Sequence, residues 1–318
     1  MKILIAGGNG YVGRVLCQIL YDKHDVCVID NLRYGANRFK QDELKKIRFE
    51  EADLRHKSNI ADIVNKYTPN VIINLAAIHF IPECENDPEL AISTNICGTV
   101  NLLSVCPSDC RFVFASSGAV YQPDNNPYSE NSSPLGPLDI YGYTKLHGED
   151  YVKYFSKLKN FPAVIVRLFN VVGPGETNPH VLPEIVAQLK AGRKSLKLGN
   201  LKPKRDYIYV KDAALGFAAT ALNGDVKNGE TAVVNLGSQI QYSVEELLKK
   251  IKNIAEIEFE VETDTTRLRK VDRPFLGANI TKIKELFKWN PQFDMDFALT
   301  EMWKEPDLPK SLIRKYEL

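Results

Sequence analysis

The stretch from Lys2 to Asp30 constrains this chain more than any other. Lys2 to Ala6 is a short apolar strand, and Gly7-Gly8-Asn9-Gly10-Tyr11-Val12-Gly13 follows as a glycine-rich turn. Val15, Leu16, Ile19 and Leu20 then recur with helical periodicity, and Val26-Cys27-Val28-Ile29-Asp30 reads as a second strand closed by an acid. Strand, turn, helix, strand and carboxylate in this register form a dinucleotide-binding unit. The glycines permit a tight turn and close approach of a pyrophosphate, and the helix N-terminus stabilises that anion. Asp30 stands where a carboxylate accepts hydrogen bonds from an adenosine ribose and would repel a 2′-phosphate, which favours NAD over NADP. Arg33 nearby works against that preference.

The alternation continues downstream. Arg48 to Ala52 precedes Asp53-Leu54, Val71 to Ala77 is a buried strand, and Leu90 to Cys106 reads as one long helix carrying Asn95. Phe112 to Ala115 is a strand delivering Ser116 and Ser117. Tyr141 opens a helix with Lys145, Glu149 and Tyr154, and Ala163 to Leu168 is the next strand. The pattern predicts an α/β fold, a Rossmann-type doubly wound parallel sheet with ligands beyond the strand C-termini. Asp30, Asp53, Ala77, Ser117 and Phe169 all follow strands at that edge.

After Asn170 the character changes. Gly173 to Pro183 is rich in turn formers, Pro183 to Lys190 is a short helix, and Lys202 to Arg205 is a basic loop before a strand over Tyr207 to Val210. Ala213 to Leu222 is helical and Ala232 to Leu236 returns to a sheet. Ser243 opens a helix to Ile254 with a capping box, and Thr281 caps another to Phe287. Residues 1–170, with returning segments about 212–237, are expected to form the dinucleotide-binding domain. Residues 171–211 and 238–318 are expected to form a smaller, partly discontinuous C-terminal substrate lobe.

Composition narrows the function. A net charge of +1 gives no support for nucleic acid or an anionic membrane. No apolar run reaches the roughly 18 residues of a membrane span, and Gly7 to Gly10 interrupt the N-terminal apolar run too early for a signal peptide. The six cysteines are scattered. Cys106 and Cys110 are the only close pair, with no second pair to complete a zinc knuckle, so no metal is expected. The cysteines read as reduced and mostly buried in a cytoplasmic protein.

The chemistry centres on Tyr141-Gly142-Tyr143-Thr144-Lys145 with Ser117 upstream. Tyr and Lys four apart share a helix face, and an ammonium group nearby lowers the pKa of a phenol that is otherwise near 10. A serine hydroxyl can share a substrate proton. The set suits proton removal from a sugar or alcohol hydroxyl while a cofactor takes the hydride.

With these residues in hand, the chain resembles the extended short-chain dehydrogenase/reductase family, in its nucleotide-sugar epimerase/dehydratase branch. The likeness runs from Met1 to about Pro291. It is carried by Gly7-x-x-Gly10-x-x-Gly13, Asp53-Leu54, Asn74-Leu75-Ala76-Ala77, Asn95-Ile96-Cys97-Gly98-Thr99 and Ser116-Ser117-Gly118-Ala119-Val120-Tyr121. Arg167 to Pro174 and Arg205-Asp206-Tyr207-Ile208-Tyr209-Val210-x-Asp212 extend it. Asn74 replaces the usual His. The resemblance implies a base at Tyr141, a Lys145 that lowers its pKa and holds the nicotinamide ribose, and a Ser117 that orients the sugar hydroxyl. It implies NAD contacts from Gly7, Gly10, Tyr11, Val12, Gly13, Asp30 and Asn31, then Asp53, Leu54, Leu75, Ala76 and Ala77. Asn95, Ala115, Tyr141, Lys145 and Phe169 complete that set. Substrate would meet Ser117, Gly118, Asn170, His180, Val181, Arg205, Arg269 and Asp272, with Arg267 competing with Arg269 for the diphosphate. A homodimer through helices about Pro88 to Cys106 and Gly142 to Phe155 is also implied.

The resemblance also separates reactions. The family's 4,6-dehydratases carry Asp-Glu after the catalytic Ser/Thr, whereas this chain has Gly118-Ala119, which can supply neither acid nor base. Decarboxylases usually show a Glu there that is also absent. The small pair resembles C4 epimerases acting on nucleoside-diphosphate sugars, with UDP favoured and GDP, CDP or dTDP as other carriers. Gln122 and the segment Gly175 to His180 depart from common epimerase wording, which keeps a C2 epimerase or a net oxidoreductase open. A dinucleotide-binding regulator would be expected to lose Tyr or Lys of the dyad.

Overall fold

In the computed structural model, residues 1–124, 127–267 and 273–318 are described. Strands β1 (Lys2–Ala6), β2 (Asp25–Asp30), β3 (Ile47–Glu51), β4 (Val71–Asn74), β5 (Arg111–Ser117) and β6 (Ala163–Leu168) enter one sheet. Strands β7 (Asn170–Val172), β8 (Ser195–Leu198) and β9 (Lys204–Tyr209) leave it, and β10 (Thr231–Leu236) returns. β11 (Gln241–Ser243), β12 (Glu260–Thr263) and β13 (Phe275–Leu276) join two small sheets, in the orders β11-β9-β13, with β7 on β9, and β12-β8.

The large sheet has seven strands in the order β10-β6-β5-β4-β1-β2-β3, every pair parallel. Successive side chains on a strand point to opposite faces, and both faces here are apolar. Ile3, Ile5, Val26, Val28, Ile73 and Val113 enter one core, while Leu4, Cys27, Ile72, Phe112, Phe114 and Ile165 enter the other. That double burial is why these strands read as continuous apolar runs. The strand order reverses between β1 and β4, which opens a crevice at their C-terminal ends.

A third core joins helices Val181–Lys190, Val244–Ala255 and Met295–Lys304 through Ile185, Leu247, Ile251 and Met302. Two buried carboxylates fasten later segments. Asp206 accepts from the backbone of Ser238, Gln239 and Ala278, at 2.7, 2.9 and 3.2 Å. Asp212 accepts from Gln292 and Phe293 at 2.9 and 3.0 Å.

Several elements differ from the sequence-based expectation. The helix expected over Leu90 to Cys106 is three pieces: Pro88–Ile92, a π-helical turn at Ser93–Cys97, and Gly98–Val105. The wide turn carries Asn95 into the interior. Strand β4 stops at Asn74 because the Asn74 side chain accepts from the Ala76 amide and turns the chain out of the sheet. Lys204 and Arg205 belong to β9 rather than to a loop. Helix Thr281–Phe287 is capped by Asn279, whose Oδ1 accepts from Thr281 N at 3.0 Å, and not by Thr281. The capping box at Ser243 and Glu246 is present.

Candidate active site

The glycine turn follows β1 at the crevice. Gly7 has φ +78°, and a Cβ there would lie 2.7 Å from Ala76 N. A Cβ on Gly13 would lie 2.3 Å from the Gly7 carbonyl, so the helix can press onto its own turn only with glycine at that position. Gly10 is the N-cap of helix Tyr11–Leu20 and supplies no side-chain cap, which leaves amides at the helix start for an anion. Asp30 accepts from Asn9 N at 3.1 Å and Leu32 N at 2.9 Å, and burial raises its pKa against those bonds. Both carboxylate oxygens therefore have fixed directions. Asn31 donates to Asp53 at 3.1 Å. The Arg55 side chain bonds Asp53 and holds it well below the usual carboxylate range, with burial opposing. A backbone cradle that a methyl group would fill, an uncapped helix start and an oriented acid fit the diphosphate and ribose of a dinucleotide.

The opposite wall is built by β4 and its loop. Asn74, in the place of the family's usual His, donates to Thr99 Oγ1 at 3.0 Å, and Thr99 donates to the Asn95 carbonyl at 2.7 Å. Asn95 accepts from Ile78 N at 2.8 Å and donates to Ile78 O at 2.9 Å and Thr144 Oγ1 at 3.0 Å. Its amide thus ties the Ala77–Ile78 loop to the helix bearing Tyr141. Leu54 packs beneath Gly98 on the same side.

Helix Ile140–Lys159 starts at Asp139, whose side chain accepts from Gly142 N. It places Tyr141 near Ser117 at the end of β5. Burial raises the phenol well above its ordinary value, and the neighbouring Ser117 hydroxyl opposes that rise. Lys145 Nζ donates to Ala115 O at 2.8 Å and sits 5.8 Å from the Tyr141 ring centroid. Burial pushes this ammonium down to about 8. Lys145 is thus anchored on β5 beside the Tyr141 ring. Gly118 is closed against the Phe169 ring, 3.2 Å from where a Cβ would stand.

Substrate candidates spread more widely. Tyr11 donates to Gly173 O at 3.0 Å and so joins the glycine turn to the loop after β7, while Val12 packs into the cores below. Asn170 is exposed at the start of β7. His180 stands at the N-cap position of helix Val181–Lys190 without a side-chain cap bond, with Val181 half-buried behind it. Arg205 donates to Arg273 O at 2.7 Å and to Lys204 O at 2.9 Å. Arg269 and Asp272 lie outside the described residues. Arg267 donates to Glu184 at 2.8 Å and to Asp264 at 3.1 Å. Lys315 and Tyr316 also reach Glu184, so Arg267 belongs to a structural cluster.

Two features carry no sequence signal of their own. Arg273 is buried and donates to the carbonyls of Ala119, at 2.9 Å, and Tyr121, which fixes the turn following Ser117. Behind the dyad, Glu149 receives two bonds from Arg167, at 2.9 and 2.8 Å, and one from Ser116 at 2.6 Å. Arg167 stacks 4.7 Å over the Tyr121 ring. Only the position of Glu149 one turn beyond Lys145 hinted at this second site.

Fold and crevice together are those of an α/β dinucleotide-dependent enzyme. The chain belongs to the NAD dependent epimerase/dehydratase family, whose model matches residues 3–237. It is 31% identical to a putative UDP-glucose 4-epimerase of Methanocaldococcus jannaschii, over 92% of this chain and 94% of that one. It is 29% identical to a UDP-glucose 4-epimerase of Rhizobium meliloti, over 95% and 96%. The solved UDP-glucose 4-epimerase of Thermus thermophilus in complex with NAD superposes with a TM-score of 0.83 at 25% identity, covering 96% of this chain and 98% of that one. The family is NAD-dependent, as the glycine turn and Asp30 anticipated, and no helix among the described residues is long and apolar enough to cross a membrane.

Proposed function

We propose that the chain epimerises a nucleoside-diphosphate sugar, most simply a UDP-sugar, at C4. Ser117, Tyr141 and Lys145 meeting at the sheet edge beside the glycine turn carry this reading. Tyr141 withdraws the C4 hydroxyl proton, Ser117 holds that hydroxyl, and Lys145 keeps positive charge behind the phenol. NAD, held by the glycine turn and by Lys145, would supply the reversible hydride acceptor that C4 needs. Gly118 and Ala119 supply neither acid nor base at the two positions after Ser117, which argues against expulsion of water. The Gly7, Gly10 and Gly13 turn with Asp30, Asn31 and Asp53 would hold the adenosine diphosphate half. Ala76, Ala77, Ala115, Lys145 and Phe169 would surround the nicotinamide half. Asn170, Arg205, Arg269 and Asp272 would take the substrate nucleotide.

The enzyme as isolated, given no added NAD, interconverts UDP-glucose and UDP-galactose or another UDP-sugar epimer pair, followed by chromatography of the products. Stoichiometric accumulation of NADH without an epimer would replace this reading with a net oxidoreductase. The relatives' UDP specificity supports uridine as the base. Tyr143, Tyr151, Tyr154 and Leu158 line the exposed side of helix Ile140–Lys159, which supports a homodimer through that helix. Light scattering tests it, with Tyr154→Glu expected to give monomers. Six free cysteines, five of them buried, support a reducing, cytoplasmic setting.

A further inference from the structure

One cluster of chemically active side chains has no part in the hydride chemistry. His79 stands on the loop after β4, Glu176 follows Gly175 in the loop after β7, and His180 is at the N-cap position of helix Val181–Lys190. One ligand atom from each lies within 4.8 Å of the others. We propose that His79, Glu176 and His180 bind a divalent transition metal of the Zn2+ class, joining the β4 loop to the start of that helix.

The donor set argues for that class. Two imidazole nitrogens and one carboxylate oxygen suit Zn2+ and its neighbours, whereas Mg2+ and Ca2+ require six or more oxygens. The ligands are also pre-oriented. Glu176 is 8% exposed, and its Oε1 accepts from Thr177 N at 2.7 Å and Asn178 N at 3.2 Å. The backbone therefore sets its direction, which is the support that metal-binding carboxylates ordinarily receive. His79 Nε2 lies 3.6 Å from the same oxygen. The two imidazole rings are 5.7 Å apart, and Phe80 packs edge-on against His180 at 5.3 Å. His79 keeps a third of its side chain exposed, which provides an entry path. The metal would displace the Asn178 Nδ2 contact to His79 Nε2 at 3.1 Å, and Thr177 Oγ1 still accepts from the same amide at 3.3 Å.

Three protein ligands leave a fourth position for water or an oxygen of a bound substrate. His180 is then a metal ligand and not part of the nucleotide-base cradle. The inference does not depend on which sugar the enzyme takes, or on epimerisation at all.

The test uses the full chain, stripped by a chelator and titrated with Co2+. One Co2+ per chain is expected, with the visible d–d absorption of a four-coordinate site that Zn2+ erases and excess Mg2+ does not. Glu176→Gln and His180→Ala each weaken Co2+ binding by more than about 100-fold, while Asn178→Ala changes it by less than about tenfold. Retained NAD in each variant certifies the fold, and His79→Asn replaces any variant that loses it. A wild-type protein with no cobalt spectrum overturns the proposal. So does cobalt uptake that Glu176→Gln and His180→Ala both leave intact, since a mere hydrogen-bonded pair predicts that result.

Discussion

Helix Ile140–Lys159 buries two charges one turn apart, Lys145 and Glu149, and treats them oppositely. Glu149 receives a two-point bond from Arg167 and another from Ser116, so its charge is neutralised and both oxygens are used. Lys145 has a single neutral acceptor, the Ala115 carbonyl, and no carboxylate within salt-bridge reach among the described residues. A paired buried charge fixes structure. A buried charge without a counter-ion is pushed toward neutrality and is left available for a reaction. The helix thus carries, one turn apart on one face, a charge that holds structure and a charge that the proposed mechanism uses.

Four experiments sharpen or break that contrast. Tyr141→Phe removes the proton acceptor that the reactive charge serves and should lower turnover by about 10²–10⁴-fold while the protein keeps its NAD, read by epimer formation and by cofactor released on denaturation. Equal activity would break the division. Glu149→Ala strands Arg167 in the scaffold and should cost about 3–5 kcal/mol in urea unfolding.

Lys145→Met should do the reverse, lowering activity while stabilising the cofactor-free fold at pH 7 by up to about 3 kcal/mol. Burial holds the folded ammonium at about 8 against an ordinary 10.5. Below pH 8 both folded and unfolded chains are protonated, and the folded one carries the full cost of its buried charge. Between 8 and 10.5 the folded chain has released its proton, so wild-type stability rises and the gap to the variant closes. Unfolding curves at pH 7 and pH 10 check the sign. Smallest of all, Ser243→Ala removes a helix cap remote from both charges and should cost about 1 kcal/mol with turnover unchanged.

Legibility in the sequence followed the range of the forces involved. The βαβ start, the strand alternation and the Ser243 capping box are local patterns, and each appears where the periodicity places it. The breaking of helix Leu90–Cys106 was not legible, because the π-turn at Ser93–Cys97 is tied to a distant demand: Asn95 bonds Ile78 and Thr144. Strand β4 ended early for a similar reason, a side chain capturing the backbone at Ala76. Tyr141, Lys145 and Ser117 could be proposed as partners from motif and topology. Arg273 under the Ser117 turn, the Glu149–Arg167 pair and the His79–Glu176–His180 group could not, since no motif or strand edge marks those residues as partners.

Lys315 and Tyr316, on the final helix Lys310–Tyr316, close onto Glu184 at 2.8 and 2.7 Å. Glu184 stands one turn inside the helix that His180 begins. The final helix is therefore pinned to helix Val181–Lys190 through a single carboxylate that Arg267 also meets. Removing the last turn by limited proteolysis would leave Glu184 with Arg267 as its remaining partner.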